Sequence, residues 1–334
     1  VYKRQEYVYP MIRGHAIYEG VYLLGTSIAR PLIAKRQIAI AKKYSAYAVS
    51  HGSTGKGNDQ VRLDVSVAAI APHLKVIAPI RDWGMTRNDE INYANEHGIP
   101  LPSKKGLYSV DENLWGRSIE AGNLENPWNE PPEEAFEWTR AVVDTPEEPV
   151  YVEIDFDLGL PISVDSKEMD GVELIRHLNV VAGLHGIGRV DHIENRLVGI
   201  KSREVYEAPA AVLLYQAHKA LEHMTLSKEQ LRLKSRIAQE YADIVYNGLW
   251  YTKHREDLDS YVASTQRYVS GTVRLKLHKG NCIVVGRKSG YGLYSHGLAT
   301  YDTGDTFDHS SAEGFISIYG LPIRTQSRLQ SDSD

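Results

Sequence analysis

The stretch SHGSTGKGNDQVR, Ser50 to Arg62, decides how the chain is read. It sets Gly52, Gly55 and Gly57, a lysine and several polar residues directly after the apolar run AYAV, Ala46 to Val49. That is the composition of a loop that wraps phosphate, yet both standard spacings fail. A Walker A loop needs G-x-x-x-x-G-K-[ST], whereas Gly52 and Gly55 lie too close together and Lys56 is followed by Gly57. A dinucleotide fingerprint needs G-x-G-x-x-G, and the third glycine never follows Gly55-Lys56-Gly57. Two readings remain even. A strand feeding a glycine-rich turn, with Asn58 and Asp59 opening a helix, turns backbone N–H groups toward an anion. Alternatively the glycines serve a tight strand-to-helix connection by adopting positive φ.

Working outward, SIARPLIAKRQIAIAKK (Ser27 to Lys43) predicts a helix, with Ile33, Ile40 and Tyr44 on one side and Lys35, Arg36, Lys42 and Lys43 on the other. Pro31 is expected near its first turn. AYAV reads as a buried strand. After the loop, VRLDVSVAAIAP is ambiguous: Val61, Leu63, Val65 and Val67 alternate as in a strand, while Val61, Val65, Ala68 and Ala69 share a helical face. A helix is expected, because LKVIAPI (Leu74 to Ile80) reads as the next buried strand and needs a crossover before it. Thr86 to His97 follows as a helix with a threonine cap and Gly98 beyond its end. This order gives an α/β layer with a parallel sheet.

Composition shifts after Pro100-Leu101-Pro102. From Lys104 to Pro149 the segments NLENPWNEPPEE and DTPEEP predict exposed loops. VYVEIDFDLGLPISVD predicts a hairpin turning at Gly159, and TVRLKLHKGNCIVVG a second one turning on Gly280-Asn281. Between them lie three helical patterns, GVELIRHLNVVAG, APAAVLLYQAHKALEHM and SKEQLRLKSRIAQEYADIVYNG, the last opened by a capping box from Ser227 to Gln230. The part after about residue 100 is thus expected to be α+β. The tail RTQSRLQSDSD is polar, a frayed helix or an arm on a neighbouring subunit.

The 334 residues are 42% apolar and 24% charged with a formal net charge of -5, ordinary values that give no footprint for a polyanion such as nucleic acid. Cys282 is the sole cysteine, so neither an internal disulfide nor a cysteine-based zinc cluster is available. No apolar run approaches the ~20 residues of a membrane span and no signal segment opens the chain, which leads to the expectation of a cytoplasmic protein. VYKRQ runs abruptly into EYVYPMIRG without an initiator methionine, so a truncated or processed N-terminus is expected, with non-native first residues.

Several side chains could carry chemistry. Arg62 lies one helical turn after Asn58, so both could grip one ligand, although an Arg paired with a surface Glu is the blander reading. YLLGTSIARP places Tyr22 and Ser27 around Gly25, where Ser27 also reads as a plain helix cap. Ser109 and Ser118 flank the acidic DEN cluster with no histidine partner, which does not suggest nucleophilic catalysis. In GIGRVDHIENRLVGIKSREVYEAP, Glu194 stands between apolar residues with Tyr206 further on. A carboxylate in such a run either awaits an ammonium group or pairs with Arg189, Arg196 or Arg203. The histidines show no metal-binding spacing, and no metal site is expected.

Together, YLLGTSIARPLIAKRQ, SHGSTGKGNDQVR, KVIAP, HGIP, SVDENLWGRSIEAG, GRVDHIENR and KSREVYEAPA resemble, in order and spacing, the argininosuccinate synthase family, from about Glu6 to the end of the chain. The resemblance implies an ATP-dependent C–N ligase that joins L-citrulline to L-aspartate. It implies an adenine-nucleotide-binding parallel-sheet domain of the ATP pyrophosphatase type over 1–100, an α+β synthetase domain over 101–310 and an oligomerisation arm over 311–334 of a homotetramer. Carried onto this sequence, citrulline falls to Tyr22, Ser27, Asn58, Arg62, Ser109, Ser118, Glu194 and Tyr206. Aspartate falls to Thr54, Asn58 and Asp59. ATP falls to Ser50, His51, Gly52, Ser53, Thr54, Gly55, Lys56, Gly57 and Asn58, with Mg2+ on its phosphates and no covalent nucleophile.

One part of the family pattern has no counterpart. The pyrophosphate loop of the form SGGLDTS does not occur in the sequence, so the first domain is expected to be truncated and the chain inactive. An amidating or thiolating ligase of the same type would need an ammonia or sulfur source that no motif supplies. A citrulline or nucleotide sensor without catalysis is the alternative of a different class.

Overall fold

The computed structural model describes residues 2–100 and 108–330. Leu101, Pro102 and Lys104, where the composition shift was expected, lie outside the described residues, as do Val1 and the last four residues of the tail. The chain divides into two compact units, 1–291 and 292–334.

Helix α1 (Tyr2–Gly14) precedes α2 (Gly25–Lys43), whose start is set by an unusual cap. Leu24 takes the left-handed conformation at φ 62°, and the Tyr22 hydroxyl accepts the backbone N–H groups of Thr26 at 3.0 Å and Ser27 at 3.2 Å. A phenol thus satisfies two of the four donors a helix start leaves open. Ser27 is not the cap but a fully buried residue inside the helix. Pro31 likewise sits inside the helix and not in its first turn.

The apolar stripe expected on α2 is on the wrong side. Ile33, Ile40 and Tyr44 are 40, 59 and 71% exposed, and the buried face carries Ile28, Pro31, Ala34, Ile38 and Ala41. Small residues bring α2 close to α3 (Asn58–Ile70), where Ala34, Ile38 and Ala41 share a core with Leu63 and Val67.

β1 (Ala48–Ser50) and β2 (Lys75–Ile77) pair in parallel, Val49 opposite Val76, with α3 as the crossover. The ambiguous segment is therefore helical from Val61 through Ile70, as the crossover of a parallel pair requires. β2 is shorter than expected, because Pro79 opens the short helix α4 (Pro79–Trp83). α5 (Arg87–Glu96) begins at a capping box between Thr86 and Asp89.

Beyond residue 108 come β3 (Ser109–Glu112) and β4 (Arg117–Glu120), three short 3-10 turns, β5 (Val150–Asp157), β6 (Leu160–Val164), β7 (Lys167–Glu168) and α6 (Gly171–Leu184). β8 (Arg189–Asn195), β9 (Lys201–Glu207), α7 (Pro209–Thr225), α8 (Lys228–Tyr246), α9 (Lys253–Thr265), β10 (Gly271–His278) and β11 (Asn281–Lys288) complete the first unit. Two antiparallel sheets result, in the orders β3-β4-β9-β8 and β11-β10-β5-β6-β7. α7 is buried on most sides, and its Leu213, Leu214 and Leu221 share one core with Ile154, Leu275 and Leu277.

Both expected hairpins form. The first turns on Leu158-Gly159, at φ 49° and 75°. The second turns on Lys279-Gly280, at φ 47° and 78°, one residue earlier than expected, with His278 paired to Asn281. Two consecutive positive φ angles are what a two-residue loop needs to follow the twist of its strands. The second unit holds the four-residue α10 (His296–Ala299), α11 (His309–Tyr319) and α12 (Leu321–Gln330), so the tail is helical through Gln330.

Candidate functional site

The start of α2, the first turns of α3, strands β3 and β4 and the β8–β9 hairpin surround one open cavity. Of the residues expected from the sequence, Tyr22, Gly57, Asn58, Asp59, Arg62, Ser118, Glu194 and Tyr206 line it. Ser27, Ser109 and the loop residues from Ser50 to Lys56, Thr54 among them, stand outside. Ser27 is behind Tyr22, with its hydroxyl 3.3 Å from the phenol oxygen. Ser109 is exposed on β3 opposite Glu120. Thr54 lies in the loop, where its carbonyl accepts the Gly57 N–H at 3.3 Å.

The aromatic wall is stacked. Tyr22 lies on Tyr206 with ring centroids 4.2 Å apart, and Tyr246, at the end of α8, lies on Tyr18 at 3.6 Å. Tyr206 donates to Glu194 Oε2 and Tyr246 to Glu194 Oε1, each at 2.6 Å. Burial and the Glu194 charge push both phenols above their ordinary pKa, so both remain proton donors.

The strand period explains why Glu194 meets these partners. Val190 stands opposite Tyr206, His192 opposite Glu204 and Glu194 opposite Ser202, all on one face of the ladder. Arg189 and Arg203 belong to the other face, where they pair with Glu133 and Asp191. Arg196, past the strand end, holds Glu204 at 2.6 Å and Glu120 at 2.8 Å. None of the three arginines considered for Glu194 reaches it.

That leaves Glu194 in a distinctive position. Four glutamates are buried among the described residues: Glu194, Glu204, Glu207 and Glu222. Glu204 has Arg196, Glu207 has Arg117 at 3.0 Å and Glu222 has Lys234 at 2.8 Å. Glu194 is 3% exposed, with two neutral phenols and, among the described residues, no cation within 4.0 Å. A buried carboxylate without a counter-charge is costly unless something else supplies one.

On the other side of the cavity, Asp59 is held by Arg30 at 2.6 Å and Arg62 at 3.1 Å, and Arg30 also reaches Asp111 at 2.5 Å. Burial works against the Asp59 charge, but the two guanidiniums outweigh it and lower the pKa. The same carboxylates outweigh burial at Arg30 and raise its pKa. Glu204 goes the other way, pushed up to about 8 by burial and by neighbouring Glu120 and Glu194. Thr26 donates to Ser118 Oγ at 3.1 Å at the cavity edge.

The glycine-rich loop is anchored from several sides. Gln37 donates to the Ser50 carbonyl at 2.9 Å, and the His51 N–H continues the ladder to Ile77 at 3.1 Å. The His51 ring accepts the Ser53 N–H at Nδ1, so Nε2 carries the proton and donates to Asp64 at 2.7 Å. Gln60 reaches the Gly55 carbonyl at 2.5 Å. Gly57 caps α3 with no side-chain acceptor for the first N–H groups of the helix. Ser50 to Lys56 are not part of the cavity wall.

Sequence reasoning missed Tyr246, Thr26, Arg30, Asp111, Glu120 and Glu204. Tyr246 lies near the end of the third helical pattern, and nothing in that pattern singles it out. One signal was available in Asn247-Gly248: Gly248 has φ 75°, and a Cβ there would lie 2.6 Å from Arg62 Cα. Only glycine lets the end of α8 approach α3 this closely.

Away from the cavity, His15, His218 and Glu222 bring ligand atoms within 4.8 Å of one another, a grouping the spacing of the histidines did not reveal. Lys234 sits on Glu222 and already supplies the positive charge there. Burial, with His218 and Lys234 close by, lowers the His15 pKa to about 3. No helix among the described residues is long and apolar enough to cross a membrane.

Comparison with known proteins identifies the family. The sequence profile described as "Arginosuccinate synthase N-terminal HUP domain" matches residues 3–100, and "Arginosuccinate synthase C-terminal domain" matches 108–326. Argininosuccinate synthase of Dehalococcoides mccartyi is 58% identical over 327 residues, which is 98% of this chain and 80% of that protein. The protein of the same name from Trichodesmium erythraeum is 55% identical over 97% of this chain and 81% of its own length. That from Symbiobacterium thermophilum is 53% identical over 97% and 81%. The fold is a HUP domain with a parallel sheet followed by a C-terminal synthetase domain, and the chain belongs to the argininosuccinate synthase family of ligases.

Proposed function

We propose that the cavity holds L-citrulline, with L-aspartate and ATP meeting it from the side of the Ser50–Asn58 loop. The observation that carries this reading is Glu194, a buried carboxylate that none of the described cations pairs with. A zwitterionic amino acid brings an ammonium and N–H donors for it and a carboxylate for Arg62. Tyr22, Ser27, Asn58, Arg62, Ser109, Ser118, Glu194 and Tyr206 are assigned to citrulline. Ser27 acts through Tyr22, and Ser109 through the β3–β4 pair. Thr54, Asn58 and Asp59 are assigned to aspartate, and residues 50–58 to ATP.

In the proposed reaction the ureido oxygen of citrulline attacks the α-phosphorus of ATP and pyrophosphate leaves. The aspartate amine then attacks the activated ureido carbon of citrullyl-AMP, giving argininosuccinate and AMP. The protein's part is to position three substrates and to hold their charges, which requires no covalent nucleophile. Magnesium travels with the phosphates: near the loop Asp59 and Asp111 are ion-paired to Arg30, and Asp64 is ion-paired to Arg81 and accepts from His51 Nε2, so these carboxylates do not form a ligand set for it.

The division into 1–100, 101–310 and an arm over 311–334 belongs to the same reading, with a cytoplasmic homotetramer as the working assembly. Phe315, Ile316, Ile318 and Tyr319 on α11 and Leu321 and Ile323 on α12 are exposed within their own unit, which favours burial against other copies. The test is AMP formation dependent on both citrulline and aspartate. A polypeptide of these 334 residues is expected to show none, and the same polypeptide carrying an SGGLDTS-type loop upstream is expected to show it. No AMP from the extended protein, with citrulline still bound, would favour a sensor.

A further inference from the structure

Tyr246 is absent from every set of residues assigned above, yet it sits where the halves of the cavity meet. Its side chain is fully buried, its ring is stacked on Tyr18, and the Arg62 guanidinium lies 4.7 Å above the ring centroid. Its carbonyl accepts Arg62 Nε at 2.7 Å. Its hydroxyl lies between Glu194 Oε1 at 2.6 Å and Asn58 Nδ2 at 2.8 Å.

The direction of this chain of hydrogen bonds is fixed from one end. The backbone N–H of Leu197 can only donate, and it donates to Asn58 Oδ1 at 2.9 Å. That sets the Asn58 amide with its nitrogen toward Tyr246, and the amide in turn can only donate to the phenol oxygen. The phenol proton is then left for Glu194. Three groups that would otherwise rotate or flip independently are locked into one orientation, and the lock joins α3 of the HUP domain to β8 and α8 of the synthetase domain.

The geometry points to Tyr246 as a positioning residue for the proposed citrulline site: it orients the Glu194 carboxylate and ties it to Asn58 and Arg62 without itself lining the cavity. This rests on the reading of the cavity given above. Glu194 receives one phenol on each oxygen, Tyr206 from inside the cavity and Tyr246 from behind. The lone pairs left free on both oxygens then point in directions set by two fixed donors, ready for N–H groups of a ligand. Tyr206 alone would leave the carboxylate free to turn about its bond to Cγ.

Calorimetric titration of L-citrulline into this chain, its Tyr246→Phe and Glu194→Gln variants and the double variant tests the inference. Phe keeps the stacking on Tyr18 and the contact with Arg62 and removes only the hydroxyl. Citrulline should bind Tyr246→Phe about tenfold more weakly. The double variant should bind no more than about twofold more weakly than Glu194→Gln alone, because Tyr246 acts through that carboxylate. In the protein extended with an SGGLDTS-type loop, Tyr246→Phe should raise KM for citrulline about tenfold and leave KM for ATP within about twofold. Unchanged affinity in Tyr246→Phe, losses that multiply in the double variant, or equal rises in both KM values would overturn the role of Tyr246. If the unsubstituted chain fails to bind citrulline at all, the reading of the cavity falls, and the role of Tyr246 with it.

Discussion

Glu194 and Glu207 stand at opposite ends of the same β8–β9 ladder, about 17 Å apart at the usual strand rise, and both are buried. Their surroundings differ completely. Glu207 takes the Arg117 guanidinium at 3.0 Å, the backbone N–H groups of Glu137, Trp138 and Thr139 at 2.9 to 3.1 Å, and the Thr139 hydroxyl at 2.8 Å. Its lone pairs are used up by the protein, and in return it pins the 137–139 loop to the sheet. Glu194 has two phenols and an open cavity in front of it. A saturated carboxylate is part of the scaffold. An undersaturated one keeps lone pairs for the ligand that the proposed citrulline site calls for.

The comparison predicts opposite mutational signatures. The largest effect is expected from Glu207→Gln, which leaves buried Arg117 with only the exposed carboxylates of Glu137 and Glu112 and strips charge-assisted bonds from the loop. Denaturant unfolding should show a loss of about 3–5 kcal/mol, and a loss under 1 kcal/mol would mean that Glu207 is not the anchor described. Glu222→Gln should follow with a loss of about 2–4 kcal/mol, since Lys234 is then unpaired. Burial opposes the Glu222 charge, but His218, Lys234 and Gln266 outweigh it and lower its pKa from 4.5. Its stabilisation is therefore complete above about pH 4.5 and fades as pH falls through the folded pKa, so the gap between wild type and variant should close in acid.

Glu204 should show the reverse pH dependence. Its folded pKa is about 8 against 4.5 for the unfolded carboxyl, so the native state holds a proton that the unfolded state has lost between those values. Stability then declines as pH rises from about 4.5 to 8, and Glu204→Gln should flatten that decline. A variant that keeps the wild-type slope would place the titration elsewhere. Smallest of all is the stability effect of Glu194→Gln, expected within about 1 kcal/mol of zero, because no buried cation is orphaned.

How much of this was legible in the sequence depended on how local the determining physics was. The threonine cap at Thr86, the capping box at Ser227 and both hairpins follow from a few neighbouring residues, and they appear within a residue of their expected places. The buried face of α2 was misread because counting large apolar residues selects Ile33, Ile40 and Tyr44. Close packing against α3 instead selects Ala34 and Ala41. Glu194 stood out as an acid in an apolar run, but its partners depend on strand period and on α8 arriving from 52 residues away. Tyr246 was invisible for that reason, and the resemblance to a family, not the spacing of residues, gathered the other cavity residues into one group.

The proposed citrulline site requires that Glu194 be held ready for a ligand and not for the fold. Titration of L-citrulline into wild type and Glu194→Gln, with unfolding measured on the same samples, tests it most directly. The account predicts saturable binding to wild type, a weakening of ~1–3 kcal/mol in the variant through loss of a charge-assisted hydrogen bond, and unfolding free energies that agree within about 1 kcal/mol. Equal citrulline affinity for both proteins, with the variant clearly less stable, would contradict it.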